Sequence, residues 1–190
     1  MSDSQVITQT RHWISSVVIG LNLCPFAQRV FKAEQIRYSV TDTDDQETLL
    51  QFLSDELILL SQSETVETTL VIHPNVLGNF LDYVDFLAIA DQRLRALRLQ
   101  GVIQIASFHP QYQFADTEPE AVENYTNRSP YPMLHLLREA SISKVATDPD
   151  ALLEIPVRNK KLLKTMGLEK MKELLKSKNN TPPNLPPNFC

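Results

Sequence analysis

Two short runs of this chain are almost wholly β-branched or apolar, Thr68-Thr69-Leu70-Val71-Ile72 and Val102-Ile103-Gln104-Ile105-Ala106, and each is followed by a His-Pro pair. Strands covered on both faces have this composition, because neither side of the pleat meets water. The two runs are therefore expected at the sheet centre. Between them, Leu77, Phe80, Leu81, Val84, Leu87, Leu94 and Leu97 mark a helical stripe that Asn75 can cap and that closes before Gly101. Upstream, Ile36, Tyr38 and Val40 alternate with Arg37 and Ser39, which predicts an edge strand with one solvated face. Thr43 and Gln46 then form a capping box for a helix to about Leu60. Strand, helix, strand, helix, strand is the signature of an α/β fold, here a single domain with a small, mainly parallel sheet of about three strands flanked by helices.

The flanking segments follow the same logic. Ile14, Val17, Val18 and Leu21 place a helix over about residues 6–20, ended by Gly20, and Pro25 suits the first position of a short helix over 26–31. That reading puts Cys24 at an N-cap. Ser129 and Pro130 read as the cap and first residue of a further helix through Met133, Leu134, His135, Leu136, Leu137 and Arg138. Residues 158–178 carry eight basic and two acidic side chains around a stripe of Leu163, Met166, Met171, Leu174 and Leu175, an extra C-terminal helix that Gly167 splits. It is expected to dock by charge on an otherwise acidic body. The domain is expected to span residues 1–177, and 178–190, rich in Pro and Asn, to be a disordered tail.

Composition removes several classes of function. With 18 Lys+Arg against 23 Asp+Glu the net charge is −5, so no cationic field draws the chain to nucleic acid or to an anionic membrane. No apolar run approaches the roughly 20 residues that span a bilayer, and the first residues lack the pattern of a secretory signal, so a cytoplasmic protein is expected. The two cysteines, Cys24 and Cys190, make no disulfide framework. Four glycines supply neither a dinucleotide fingerprint nor a phosphate loop, and no cofactor follows from the sequence.

The candidate chemistry gathers at the carboxyl edge of the sheet, where ligands bind in open α/β folds. If the two His-Pro strands run parallel, His73 and His109 both reach that edge. Residues 110–129 begin there and form a long polar connection, which a compact domain uses for a functional loop or leaves disordered. It brings Asn124, Tyr125, Asn127, Arg128 and Ser129, with His135 just beyond. One reading is an enzyme for a small anionic substrate, with Arg128 and the helix start at Ser129 holding the anion. His109 or His73 would be the acid/base and Cys24 either the nucleophile or a metal ligand. Plainer roles stand beside each: histidines bonded to their own loop carbonyls, Cys24 as a buried small hydrophobe, and Arg128 paired with Glu123 or Glu120. Cys24, His73, His109 and His135 show none of the short paired spacings of a metal site, so none is expected. The rival class is a non-catalytic ligand-binding or protein-interaction module, in which the loop is a recognition surface.

Three stretches carry a family resemblance: Val18-Ile19-Gly20-Leu21-Asn22-Leu23-Cys24-Pro25-Phe26-Ala27, Gln104-Ile105-Ala106-Ser107-Phe108-His109-Pro110, and the segment from Glu123-Asn124-Tyr125-Thr126-Asn127-Arg128-Ser129-Pro130 to Glu139. They resemble the family catalogued as domain of unknown function 1415, found in many bacteria, over about residues 6–167. The resemblance implies one soluble domain and brings no activity, cofactor or catalytic assignment with it. A local likeness, Cys24-Pro25-Phe26-Ala27-Gln28-Arg29-Val30 followed by Ile36-Arg37-Tyr38, is similar to the active-site turn of glutaredoxin-like and omega-type glutathione transferase domains. This second alternative implies glutathione-dependent thiol chemistry at Cys24. In those domains a strand precedes the Cys, whereas here the preceding spacing is helical.

Overall fold

The computed structural model describes residues 2–145 and 149–176. The tail expected to be disordered, 178–190, lies outside these. Helix α1 (Asp3–Trp13) opens on a capping box, in which the Ser2 hydroxyl accepts from the Gln5 amide and the Gln5 side chain accepts from the Ser2 amide. It runs directly into a π-helical turn (Ile14–Ile19) and then, past a loop, α2 (Ala27–Lys32). Strand β1 (Ile36–Val40), α3 (Gln46–Gln62), β2 (Thr68–Ile72), α4 (Phe80–Ala96) and β3 (Ile103–Phe108) follow in the expected alternation. The caps differ in detail: Asp45 accepts from Thr48 N–H to start α3, and Asn79 rather than Asn75 caps α4. A short 3₁₀ helix (Val122–Thr126), β4 (Met133–Arg138), α5 (Glu139–Val145), α6 (Pro149–Met166) and α7 (Leu168–Lys176) complete the described chain. Gly167, at φ +81°, divides the last two.

The α/β class stands, but the sheet is mixed and has four strands in the order β1-β2-β4-β3. Only β1 and β2 are parallel neighbours, and β4 is antiparallel to both β2 and β3. Residues 133–138, expected in a helix, form this inserted strand. Their apolar side chains are buried against layers on both faces of the sheet, so no polar alternation marks them as a strand. The insertion moves β3 from the expected centre to an edge. β1 holds the other edge, and β2 is central and buried throughout.

Two layers cover the sheet. On one face, Leu49, Leu53, Leu57 and Leu60 of α3 and Tyr83, Phe86, Ala90 and Leu94 of α4 pack on Val71, Ile103, Leu134 and Leu136. Leu81 and Val84, placed in the buried stripe by sequence, face outward instead. The Glu56 carboxylate reaches under α3 to bind Arg37 (2.7 and 2.8 Å) and Ser39 Oγ (2.7 Å). Burial would raise its pKa, and these bonds outweigh burial and hold it below the usual carboxylate value. On the other face, Val6, Trp13, Ile14, Val17, Leu163 and Met171 pack on Leu70, Ile72 and Met133. No helix among the described residues is long and apolar enough to cross a membrane.

Candidate ligand cleft

Although β4 separates them, β2 and β3 run in the same direction, and Ile72 and Phe108 both pair with Met133. His73 and His109 therefore reach one edge, as the sequence suggested, but on the α3/α4 face, where both are fully buried. Their rings flank Tyr83, with centroids 6.0 Å and 5.1 Å away. His73 Nδ1 lies 3.0 Å from the Val76 carbonyl, a bond that requires its proton. His109 Nε2 donates to the Leu77 carbonyl at 3.0 Å while its Nδ1 accepts from Gln111 N–H. Burial lowers both pKa values, that of His73 to about 4. Both imidazoles are thus neutral and engaged with their own loops.

Cys24 lies on the opposite face. The π-helical turn ends where the Gly20 amide donates to the Ser15 carbonyl (3.1 Å), and a Cβ on Gly20 would sit 2.3 Å from the Ser16 oxygen, so only glycine fits. Asn22, at φ +51°, then turns the chain so that the Asn22 and Leu23 carbonyls face α6. There Arg158 donates to the first and Asn159 Nδ2 to the second (2.7 Å). This docking leaves Cys24 in the wall of a cleft of about 330 Å³, with Val18, Leu23, Phe108 and Phe114 as its main apolar surface. Thr126, Asn127, Pro156, Asn159 and Lys160 complete the lining, and Lys160 is the one charged residue among them. Its ammonium stands 4.2 Å from the Phe114 ring centroid. Burial raises the Cys24 pKa, and the Phe26 and Ala27 amides and Arg158 offset this only in part, so the group is a thiol at neutral pH.

The connection 110–129 is built around Asn124, which is fully buried. Its Oδ1 accepts from Phe114 N–H (3.1 Å) and Thr117 Oγ1 (2.7 Å), and its Nδ2 donates to the Glu118 carbonyl (2.9 Å). Asn127 ties the loop to the sheet through Nδ2 to the Ser107 carbonyl at 3.1 Å. Arg128 donates to the Tyr112 and Pro119 carbonyls and lies over the Tyr125 ring at 4.5 Å, so the loop itself engages its guanidinium. Glu123 and Glu120, the alternative partners of Arg128, instead meet Lys164 (3.0 Å) and Lys172 (3.7 Å), which docks the basic helices on this loop. Ser129 caps no helix; its hydroxyl donates to the Tyr131 carbonyl in a tight turn before β4. His135 projects from β4 onto the Cys24 face, where it donates from Nε2 to Thr68 Oγ1 at 2.8 Å, because that hydroxyl gives its own proton to the Leu136 carbonyl.

Of the nine residues singled out from sequence, the structure brings Cys24 and Asn127 into one cleft. Asn124, Tyr125, Arg128 and Ser129 shape the loop beside it, and His73 and His109 lie across the sheet. Among the described residues no group of three His, Cys, Asp or Glu side chains is arranged to hold a metal. Sequence reasoning missed Lys160, Asn159 and Phe114. The available signal was a lone amide, Asn159, set between Arg158 and Lys160.

A family model described as protein of unknown function (DUF1415) matches residues 5–173. The chain belongs to that family. The match includes every cleft residue and most of α7, so the helix after Gly167 is part of the family pattern rather than an addition to it. Comparison with curated proteins and with solved structures finds no match. The first strand of this DUF1415 chain follows Cys24, and α1 with its π-helical turn precedes it, the reverse of the order around a thioredoxin-like cysteine.

Truncating Asn124 to Ala is expected to destabilise the protein by about 3 kcal/mol, since it strands the Phe114 amide and the Glu118 carbonyl inside the loop. Urea unfolding measures the loss, and limited proteolysis should move cleavage into 110–129. A variant as stable and as resistant as the parent would mean that Asn124 does not organise the loop.

Proposed function

We propose that this protein binds a small amphipathic anion, an apolar body with one carboxylate or comparable acidic group, in the cleft between the π-helical turn, the 110–129 loop and α6. The observation that carries the reading is the wall chemistry: four apolar side chains and a single ammonium, Lys160, which rests on Phe114 and feels the Glu123 carboxylate without a direct ion pair among the described residues. The volume falls at the lower end of small-molecule sites, which are mostly apolar with few polar groups that orient the ligand. A π-helical turn supplies Val18 to the wall, and such turns concentrate at functional sites. The non-catalytic reading is preferred to the enzymatic one because Cys24 faces the cleft as a neutral thiol, while the candidate acid/base histidines are on the far side of the sheet.

Calorimetry and thermal unfolding with octanoate and phenylacetate as probes test this. Saturable binding and a rise in Tm are expected for the parent chain. Lys160→Met is expected to bind roughly 10- to 100-fold more weakly, the worth of one charge-assisted hydrogen bond. Bound probe should also slow alkylation of Cys24, which shares the cleft. Binding that is undetectable, or equal in Lys160→Met, overturns the proposal.

A further inference from the structure

The outer edge of β3 carries backbone groups that the sheet does not pair. Ladder bonds alternate in direction along an antiparallel pair. Glu139 N–H donates to the Val102 carbonyl (3.0 Å), and across β4 His73 N–H donates to the Pro132 carbonyl (3.1 Å), so the odd-numbered residues of β4 bond toward β3. With Phe108 opposite Met133, it is Gln104, Ala106 and Phe108 that face β4, and the backbone groups of Ile103, Ile105 and Ser107 that point outward. Two of these are engaged within the chain: Ile103 N–H donates to the Leu99 carbonyl (3.0 Å), and the Ser107 carbonyl accepts from Asn127 Nδ2 (3.1 Å). Among the described residues, an acceptor at Ile103, a donor and an acceptor at Ile105, and a donor at Ser107 are left without a partner.

This distribution of partial charge is complementary to its own image about Ile105. We propose that β3 pairs antiparallel with β3 of a second copy of this chain, about a two-fold axis through Ile105. The Ile105 amides and carbonyls bond reciprocally, and each Ser107 N–H donates to the other copy's Ile103 carbonyl. Such an isologous contact closes on itself and joins the two sheets into one. Natural sheet edges that stay free carry Pro, a charged side chain or a bulge, or lie under a loop; β3 has none of the first three over Ile103–Phe108, and Asn127, which accepts from His109 N–H (3.2 Å), covers only its C-terminal end. Beside it runs an open groove of mixed character, in which Leu87, Leu94, Ile103 and Ile105 stand with Asp91 and Glu139, and Val84, one turn before Leu87 on α4, is 43% exposed. The chain's own tail is a poor strand for this edge, because Pro182, Pro183, Pro186 and Pro187 lack the N–H groups that it needs.

The register is testable by cross-linking. Gln104 of one copy falls opposite Ala106 of the other in a non-hydrogen-bonded pair, with Cα atoms about 4.5 Å apart and within disulfide reach. Gln104→Cys with Ala106→Cys, in a Cys24→Ser, Cys190→Ser background, should give a covalent dimer on mild oxidation. Gln104→Cys alone should not, since the two copies of residue 104 lie diagonally, about 8 Å apart. Sedimentation of the unmodified chain should reach twice the monomer mass as concentration rises toward about 200 µM, in the range of weak symmetric dimers. A monomer at every concentration overturns the proposal, and so does a dimer that the double variant fails to cross-link, because its interface is then elsewhere.

Discussion

Replacing Tyr83 with Ala is expected to remove about 5 kcal/mol or more of stability, enough to leave a domain of ordinary stability mostly unfolded at 37 °C. Tyr83 is fully buried, and its ring is the spacer between His73, His109 and Phe80. Loss of an aromatic ring from such a site costs about 3–5 kcal/mol through the cavity that remains. The hydroxyl adds a second contribution. It donates to the Met133 carbonyl at 2.8 Å and accepts from Phe108 N–H at 3.1 Å, so it stands where the last ladder bond between β3 and β4 would form. Without it two backbone groups are stranded beneath α4, each worth about 1–3 kcal/mol. Tyr83→Phe keeps the ring and separates the two effects, with an expected loss of about 2 kcal/mol. Urea denaturation of the parent and both variants gives the comparison. A Phe variant as stable as the parent would remove the bridging role, and an Ala variant within about 2 kcal/mol of the parent would mean that the site collapses around the cavity.

The same residues indicate why part of the fold was legible in the sequence and part was not. β2 could be read because five consecutive buried residues, Thr68 to Ile72, leave no other element of that length. The shared direction of the His-Pro strands, a condition in the sequence reading, is met through β4, where Ile72 and Phe108 end level with Met133. β4 was hidden by a local ambiguity. Met133, Leu134, Leu136 and Leu137 fit helical spacing after Ser129-Pro130 as well as they fit a strand buried on both faces, and only pairing with β2 and β3 decides between them. Strand parity is also what separates His73 and His109 from Cys24. His73 and Val71 share the α3/α4 face while Leu70 and Ile72 face α1, yet nothing local says which face the Cys24 segment will cover. The partners of Arg128 were hidden for a related reason: the carbonyls it meets belong to Tyr112 and Pro119, whose orientation is set by the Asn124 network and not by spacing along the chain.

Acidification from pH 7 to pH 5 is expected to destabilise the protein by several kcal/mol, well before its carboxylates are protonated. His73 is buried with only Nδ1 bonded, and burial pushes its pKa down to about 4, opposed in part by the Val76 carbonyl. Next to it His109 accepts from Gln111 N–H at Nδ1, so a proton there would break that bond; burial lowers its pKa as well. Burial also takes His135, on the other face, down to about 4, although this side chain keeps some solvent contact and its share is the smaller. In the unfolded chain all three titrate near 6.5. The folded state therefore binds fewer protons, and the stability present above pH 6.5 is lost as the pH falls from there toward 4. At pH 5 each fully shifted histidine accounts for about 2 kcal/mol. The carboxylates held below their usual values, Glu56 and Asp45 among them, lose their contribution only at lower pH, so the two windows are separate. Urea midpoints between pH 7 and pH 5 should fall with a slope of more than one proton, and His135→Gln, which retains a donor for Thr68, should reduce that slope. A midpoint that does not change over this range would mean that the buried imidazoles are solvated or open to solvent in the folded state, and the neutral His73–Tyr83–His109 stack would have to be abandoned.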